Sequence, residues 1–128
     1  MLIKSLPSNH SDLAGAYNVV ARVYLEKNEL NLALENYEKA YEIRQKQSPS
    51  HPSLIVASLH NIANILREKK MFDSALDYFQ RAFQLEETTY PNDREQKAII
   101  LQNMENTYLE KDDIDTALDH LLRALNIV

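Results

Sequence analysis

The property that most limits how this chain can fold is an internal period. Ala33, Ala75 and Ala117 recur every 42 residues, and the same offset aligns Leu34, Leu76 and Leu118, then Ala40, Ala82 and Ala124. It also brings together Tyr37, Phe79 and Leu121; Tyr41, Phe83 and Leu125; and Ile43, Leu85 and Ile127. Glu26, Glu68 and Glu110 share a column, followed in each case by Lys27, Lys69 and Lys111. Eight columns in one register mean three copies of a single supersecondary unit. Such a unit cannot bury its apolar face alone, so neighbouring copies must stack to make a continuous core.

Inside each unit the apolar residues follow a helical spacing. A first helix carries Tyr17, Val20, Ala21 and Tyr24, then Leu59, Ile62, Ala63 and Leu66, then Leu101, Met104 and Tyr108. A second helix carries Leu30, Ala33, Leu34, Tyr37, Ala40 and Tyr41 and their equivalents. Polar turns separate the two at Lys27-Asn28-Glu29, Lys69-Lys70-Met71 and Lys111-Asp112-Asp113. Proline-bearing connections follow the second helix at Ser48-Pro49-Ser50-His51-Pro52 and Tyr90-Pro91-Asn92-Asp93, where the missing amide and the ring stop one helix and open the next. Asp93 and Gln96 are spaced as a capping box. These signals predict helices over 12–27, 30–46, 53–69, 72–88, 94–110 and 114–127. With a single glycine in 128 residues, hairpin turns have almost no material, and an all-α chain is expected. Paired small residues, Ala33 with Ala21 and Ala75 with Ala63, mark where the two helices of a unit cross closely.

These residues resemble the tetratricopeptide repeat. Tyr17, Val20, Ala21, Tyr24, Ala33, Tyr37 and Ala40 meet that family's pattern, and Leu59, Ile62, Ala63, Leu66, Ala75, Phe79 and Ala82 repeat it. A period of 42, the stretch ENYEKAYEIRQ, and His51-Pro52 before a first helix are similar to the kinesin light chain subfamily and to nephrocystin-type repeats. The resemblance implies a right-handed superhelical solenoid of three helix–turn–helix units, six antiparallel helices in all. The units are expected at 11–52, 53–93 and 94–128, behind a leader at 1–10 that looks like the end of a preceding repeat. The chain departs from the family in lacking the turn glycine and in placing Glu105 where a small residue belongs.

The resemblance also places the first helices on a concave face that holds a peptide segment of a partner. The groove residues it implies are Asn18 and Arg22; His60, Asn61, Asn64 and Arg67; and Gln102, Asn103 and Asn106. A side-chain amide offers both a donor and an acceptor, which is what an extended peptide backbone requires of its binder. Asn61 and Asn64, and again Asn103 and Asn106, stand three apart on one helix face. Unit one carries Val19 and Arg22 at the matching positions, leaving the ladder incomplete. The plainer reading makes these asparagines solvated polar residues on exposed helix faces.

Other chemistry finds no support. A formal charge of −5 without a basic run opposes binding to phosphate backbones. The absence of cysteine removes thiolate metal sites and thiol catalysis, and His10, His51, His60 and His120 show no metal-ligand spacing. No cofactor motif and no catalytic set emerges, so the chain is expected to bind and not to catalyse. No apolar run is long enough for a membrane span or a signal peptide, and a cytoplasmic location is the expectation. The apolar column still running at Ile127 suggests an uncapped array, either part of a longer one or able to self-associate through its open ends. A structural spacer or self-associating unit without a dedicated ligand is the alternative function.

Overall fold

A computed structural model describes residues 11–47 and 51–127, and these are almost entirely helical. The elements are α1 (Ser11–Glu26), α2 (Leu30–Lys46), α3 (Pro52–Glu68), α4 (Phe72–Thr89) and α5 (Arg94–Ile127). The leader at 1–10 and the Ser48-Pro49-Ser50 linker lie outside the described residues.

The first four helices fall within a residue of the expected limits and form two hairpins joined by the same turn. Asn28 and Lys70, one period apart, take φ of 60° and 65°. Past each, an amide reaches back five residues, from Glu29 N to Tyr24 O and from Met71 N to Leu66 O, both at 2.9 Å. Asn28 N and Lys70 N close the inner bonds to Leu25 O and Arg67 O. This arrangement satisfies the last carbonyls of the helix and reverses the chain in two residues. It normally uses glycine, because an L side chain in the left-handed region costs roughly 1–2 kcal/mol. Neither turn has one. Pro52 opens α3 at a position whose amide has no helical partner to lose. Asp93 Oδ1 accepts from Gln96 N at 3.1 Å, which is one arm of the expected capping box.

Each helix packs on its neighbours in sequence, α1 on α2, α2 on α3, α3 on α4 and α4 on α5. The main core runs through all of these layers: Ala21 and Ala33 with Tyr37, then Val56, Leu59, Ile62, Ala63 and Leu66 with Ala75, Phe79 and Ala82, and finally Ile100. The four crossing alanines, Ala21, Ala33, Ala63 and Ala75, are fully buried. A second cluster closes the α1 end with Leu13, Ala14, Ala40 and Ile43 under Tyr17.

The third unit departs from the expected six helices. Residues 94–110 and 114–127 form one continuous 34-residue helix, with no reversal at Lys111-Asp112-Asp113. Asp112 stands where Asn28 and Lys70 turn left-handed, yet the helix runs straight through it. The turn residue does not account for this, since aspartate enters the left-handed region more readily than lysine does. Glu105 stands where Ala21 and Ala63 admit a close helix, and a folded-back helix would bury that carboxylate against Ala117. In the open form Glu105 is exposed to solvent. The apolar column of the second helix is stranded as a result: Leu121 is 64% exposed, whereas Phe79, its equivalent in unit two, is 0% exposed.

Candidate functional site

The asparagine face is built by α3 and the first half of α5, both held by the core behind them. Leu59, Ile62, Ala63 and Leu66 turn inward from α3, which leaves His60, Asn61, Asn64 and Arg67 half-buried on the opposite flank. On α5 the buried residues are Ile100 and Thr107, with Asn103 half-buried between them and Gln102 and Asn106 exposed. Thr107 is satisfied within its own helix, its hydroxyl donating to Asn103 O at 2.7 Å.

Two links tie the face together across helices. Asn103 Nδ2 lies 2.7 Å from His60 Nε2, so the amide donates to an unprotonated ring nitrogen and the proton sits on Nδ1. Burial, and secondly the nearby Arg67 charge, hold the His60 pKa below its ordinary value, so the neutral ring this bond requires is the stable form. The ring also meets Phe79 edge-on at 5.5 Å, which anchors it to the core. Lower down, Glu110 bridges Arg67 (Nε to Oε1, 3.8 Å) and Lys70 (Nζ to Oε2, 3.8 Å).

These contacts sort the sequence-derived residues. His60 and Asn103 are joined to each other, and Arg67 is offset by Glu110. Asn61, Gln102 and Asn106 make no hydrogen bond to another described residue through their side chains. Asn64 Oδ1 is buried and has no hydrogen-bond partner among the described residues. Arg22 is exposed on α1, and its charge acts on the buried Tyr37, whose phenol pKa is raised by burial and only partly lowered by Arg22.

Asn18 is occupied differently. With its amide oxygen turned to Arg44, the orientation that satisfies both groups, it accepts from Nη1 at 3.1 Å and Nη2 at 2.7 Å. Arg44 Nη1 also donates to Ser58 Oγ at 2.8 Å and to Leu54 O at 3.3 Å, so one guanidinium staples α1, α2 and α3. Burial lowers the Arg44 pKa from its usual value, and three acceptors offset that desolvation. The repeat gave no hint of this staple, because one period from Arg44 the chain carries Glu86, and the residues equivalent to Ser58 are Ala16 and Ile100.

The arrangement offers spaced amide donors and acceptors along two neighbouring helices, with a neutral imidazole and little net charge. That chemistry suits reversible hydrogen bonding to peptide groups. Among the described residues no three His, Asp or Glu side chains are gathered as a metal would require, and no helix is long and apolar enough to cross a membrane. The open clefts of about 600 Å³ by Asn28, Leu30 and Lys69 and about 450 Å³ by Met71, Phe72 and Lys111 lie at helix ends, and none of Asn61, Asn64, Asn103 and Asn106 lines them.

Comparison with known proteins points one way. A tetratricopeptide repeat family signature matches residues 54–128, and a second matches residues 14–47. No curated protein matches the sequence. Among solved structures, the fold is similar to the nearly identical TPR-like repeats of a protein described as a kinesin light chain from Podosopora anserina. That match has a TM-score of 0.70 at 19% identity and covers 97% of this chain. A singly substituted variant of the same repeats matches with a TM-score of 0.71 at 19% identity and 97% coverage. The chain spans 58% of the length of each.

Proposed function

This chain belongs to the tetratricopeptide repeat family, and from that premise we propose that it is a cytoplasmic protein–protein interaction scaffold that holds a peptide segment of a partner against its first helices. On this reading the hairpins of 11–52 and 53–93 and the first half of α5 follow a right-handed superhelix, and the concave side is lined by Asn18, Arg22, His60, Asn61, Asn64, Arg67, Gln102, Asn103 and Asn106. The chain binds and does not catalyse, and neither nucleic acid nor a cofactor takes part.

The observation that carries the reading is the pair of asparagine sets, Asn61 with Asn64 and Asn103 with Asn106, on adjacent helices with amide capacity left over. Asparagine is a mediocre helix former, so its return at equivalent positions in two units has a local stability cost that a ligand contact explains. The His60–Asn103 bond fixes the spacing of the two helices and pre-orders the face, which lowers the ordering cost of binding.

The test is selection from a displayed library of random peptides, followed by titration of the selected peptides against the Asn61→Ala/Asn106→Ala double variant. Neither asparagine's side chain bonds to another described residue, so the melting temperature should stay within a degree or two. Peptide affinity should fall at least tenfold. Equal affinity in the double variant excludes this face, and a chain that selects no peptide at all refutes the scaffold reading.

A further inference from the structure

One side of α5 carries a long apolar stripe. Ile100, Met104, Thr107, Lys111, Ile114, Leu118, Leu121 and Leu125 follow one another at alternating steps of four and three, the spacing of a coiled-coil stripe. The first part of the stripe is consumed by the body of the molecule, where Ile100 and Thr107 are fully buried. Lys111 is its last tie, bonded to Asp73 at the start of α4 at 2.8 Å. Every described side chain from Asp112 to Asn126 is exposed, including Ile114, Leu118, Leu121, Leu122 and Leu125. Five large apolar side chains gathered along one side of a helix are not an ordinary soluble surface.

We infer that this exposed half of α5 pairs, antiparallel, with the same segment of a second copy of the chain. Three features on the helix choose that occupant and that direction. The stripe is self-complementary about a point between Leu118 and Leu121: a two-fold axis there sets Leu118 against Leu121 of the partner subunit and Ile114 against Leu125 of the partner subunit. Ala117 and Ala124 flank the stripe on one side, seven residues apart, and let two helices approach closely. Their equivalents Ala75 and Ala82 are fully buried at helix contacts in unit two, so the same surface already serves that purpose within this fold.

The residues that border the stripe settle the direction. At heptad spacing Glu110, Ala117 and Ala124 line one side of it and Asp115 and Leu122 the other, while Asp112, Asp113, His120 and Arg123 fall on the outer face of the helix. A parallel pair sets Glu110 against Asp115 of the partner subunit, acid beside acid. The antiparallel pair sets Ala117 against Ala124 of the partner subunit, small beside small, and Asp115 against Leu122 of the partner subunit. The remaining charged groups, Lys111 and Asp119, are held by Asp73 and by Arg123 in the same helix.

The size of the surface bounds its strength. Five half-exposed side chains of this kind amount to roughly 500 Å² per copy, below the ~800 Å² per partner of a stable interface. A weak, reversible dimer follows. The pairing is independent of the asparagine face, which it leaves open on both copies.

Sedimentation equilibrium of the 128-residue chain up to several hundred micromolar measures the association. A monomer–dimer equilibrium is expected, and the Leu118→Asp/Leu121→Asp variant should weaken it at least tenfold. The melting transition in dilute solution should be unchanged, since both positions are exposed. A chain that stays monomeric throughout, as it would if 114–127 folded back on its own α5, overturns the proposal. So does a dimer that survives the double substitution. Orientation is read from nitroxide distances on Asp112→Cys and Asp119→Cys, two positions on one helix face in a chain without other cysteines. At about 1.5 Å per residue, the antiparallel pair separates the two 112 labels by roughly 22 Å along the axis and leaves the 119 labels almost level. Equal separations at both sites contradict it.

Discussion

Ala75 and Ala117 occupy the same column of the repeat, yet the structure gives them opposite surroundings, and a leucine at each exposes the difference. Ala75 is fully buried where α4 crosses α3, in the same cluster as the fully buried Ala63, with Phe79 and Leu59 filling the adjacent space. Leucine adds three carbon atoms at a point where the two backbones are held close by the absence of side chain. Nearby side chains have little room to move, so the helices must part or the leucine must leave its preferred rotamer. Overpacking of this kind destabilises by about 1–3 kcal/mol. At roughly 4 °C per kcal/mol for a domain near this size, the Ala75→Leu chain should melt about 4–12 °C below the parent. Ala117 is exposed on the free half of α5, and Ala117→Leu should change stability by no more than ~0.5 kcal/mol. Thermal unfolding followed by circular dichroism, in dilute solution so that association does not contribute, measures both. Equal losses at the two positions would show that unit three is closed like unit two. No loss at Ala75 would refute the close crossing on which the packing rests.

Two further predictions concern titratable groups that folding desolvates. Glu86 is 3% exposed, its Oε2 has no partner among the described residues, and its pKa is raised by burial first and then by Asp93, with Lys97 opposing. A raised acid favours the neutral form in the folded chain, so its ionisation weakens the fold as pH climbs through the folded pKa. Glu86→Gln should therefore stabilise by about 1 kcal/mol at pH 7 and give little below the unfolded carboxyl range, checked by urea unfolding at both pH values; a loss at pH 7 would contradict the burial argument. His60 has the opposite linkage: its depressed pKa means that the folded chain resists protonation, so stability present above the unfolded value of 6.5 is lost as pH falls below it. His60→Gln should flatten the stability curve between pH 7 and pH 5, and an unaltered slope would remove His60 as its cause.

Much of the fold is legible from the spacing of residues, because burial in a repeat array is periodic by construction. The columns through Ala33, Tyr37 and Ala40 locate α2 to the residue, and the alanine pairs locate the crossings. Departures from the period are harder to read. Glu105 stands out as an unsuitable residue for a close crossing, but residue types alone do not show that its effect is to leave the hairpin open. The Arg44 staple is invisible for the opposite reason: Arg44, Asn18 and Ser58 meet across three helices through identities that the other units do not share. On the asparagine face the sequence supplies the residues, while the pairing of His60 with Asn103 depends on the lateral offset between α3 and α5, which no spacing along the chain encodes.

The exposed leucine stripe, and the pairing inferred for it, depend on α5 being a single continuous helix from residue 94 to 127. A distance between nitroxides on Ala98→Cys and His120→Cys, both exposed positions, measured on dilute chain, tests this most directly. A continuous helix places them about 33 Å apart along its axis at roughly 1.5 Å per residue. A reversal at Lys111-Asp112-Asp113 would bring residue 120 back alongside the first half of the helix, at about 15 Å with helices packed ~10 Å apart. The longer distance is the predicted result, and a population centred on the shorter one would contradict the open form of unit three.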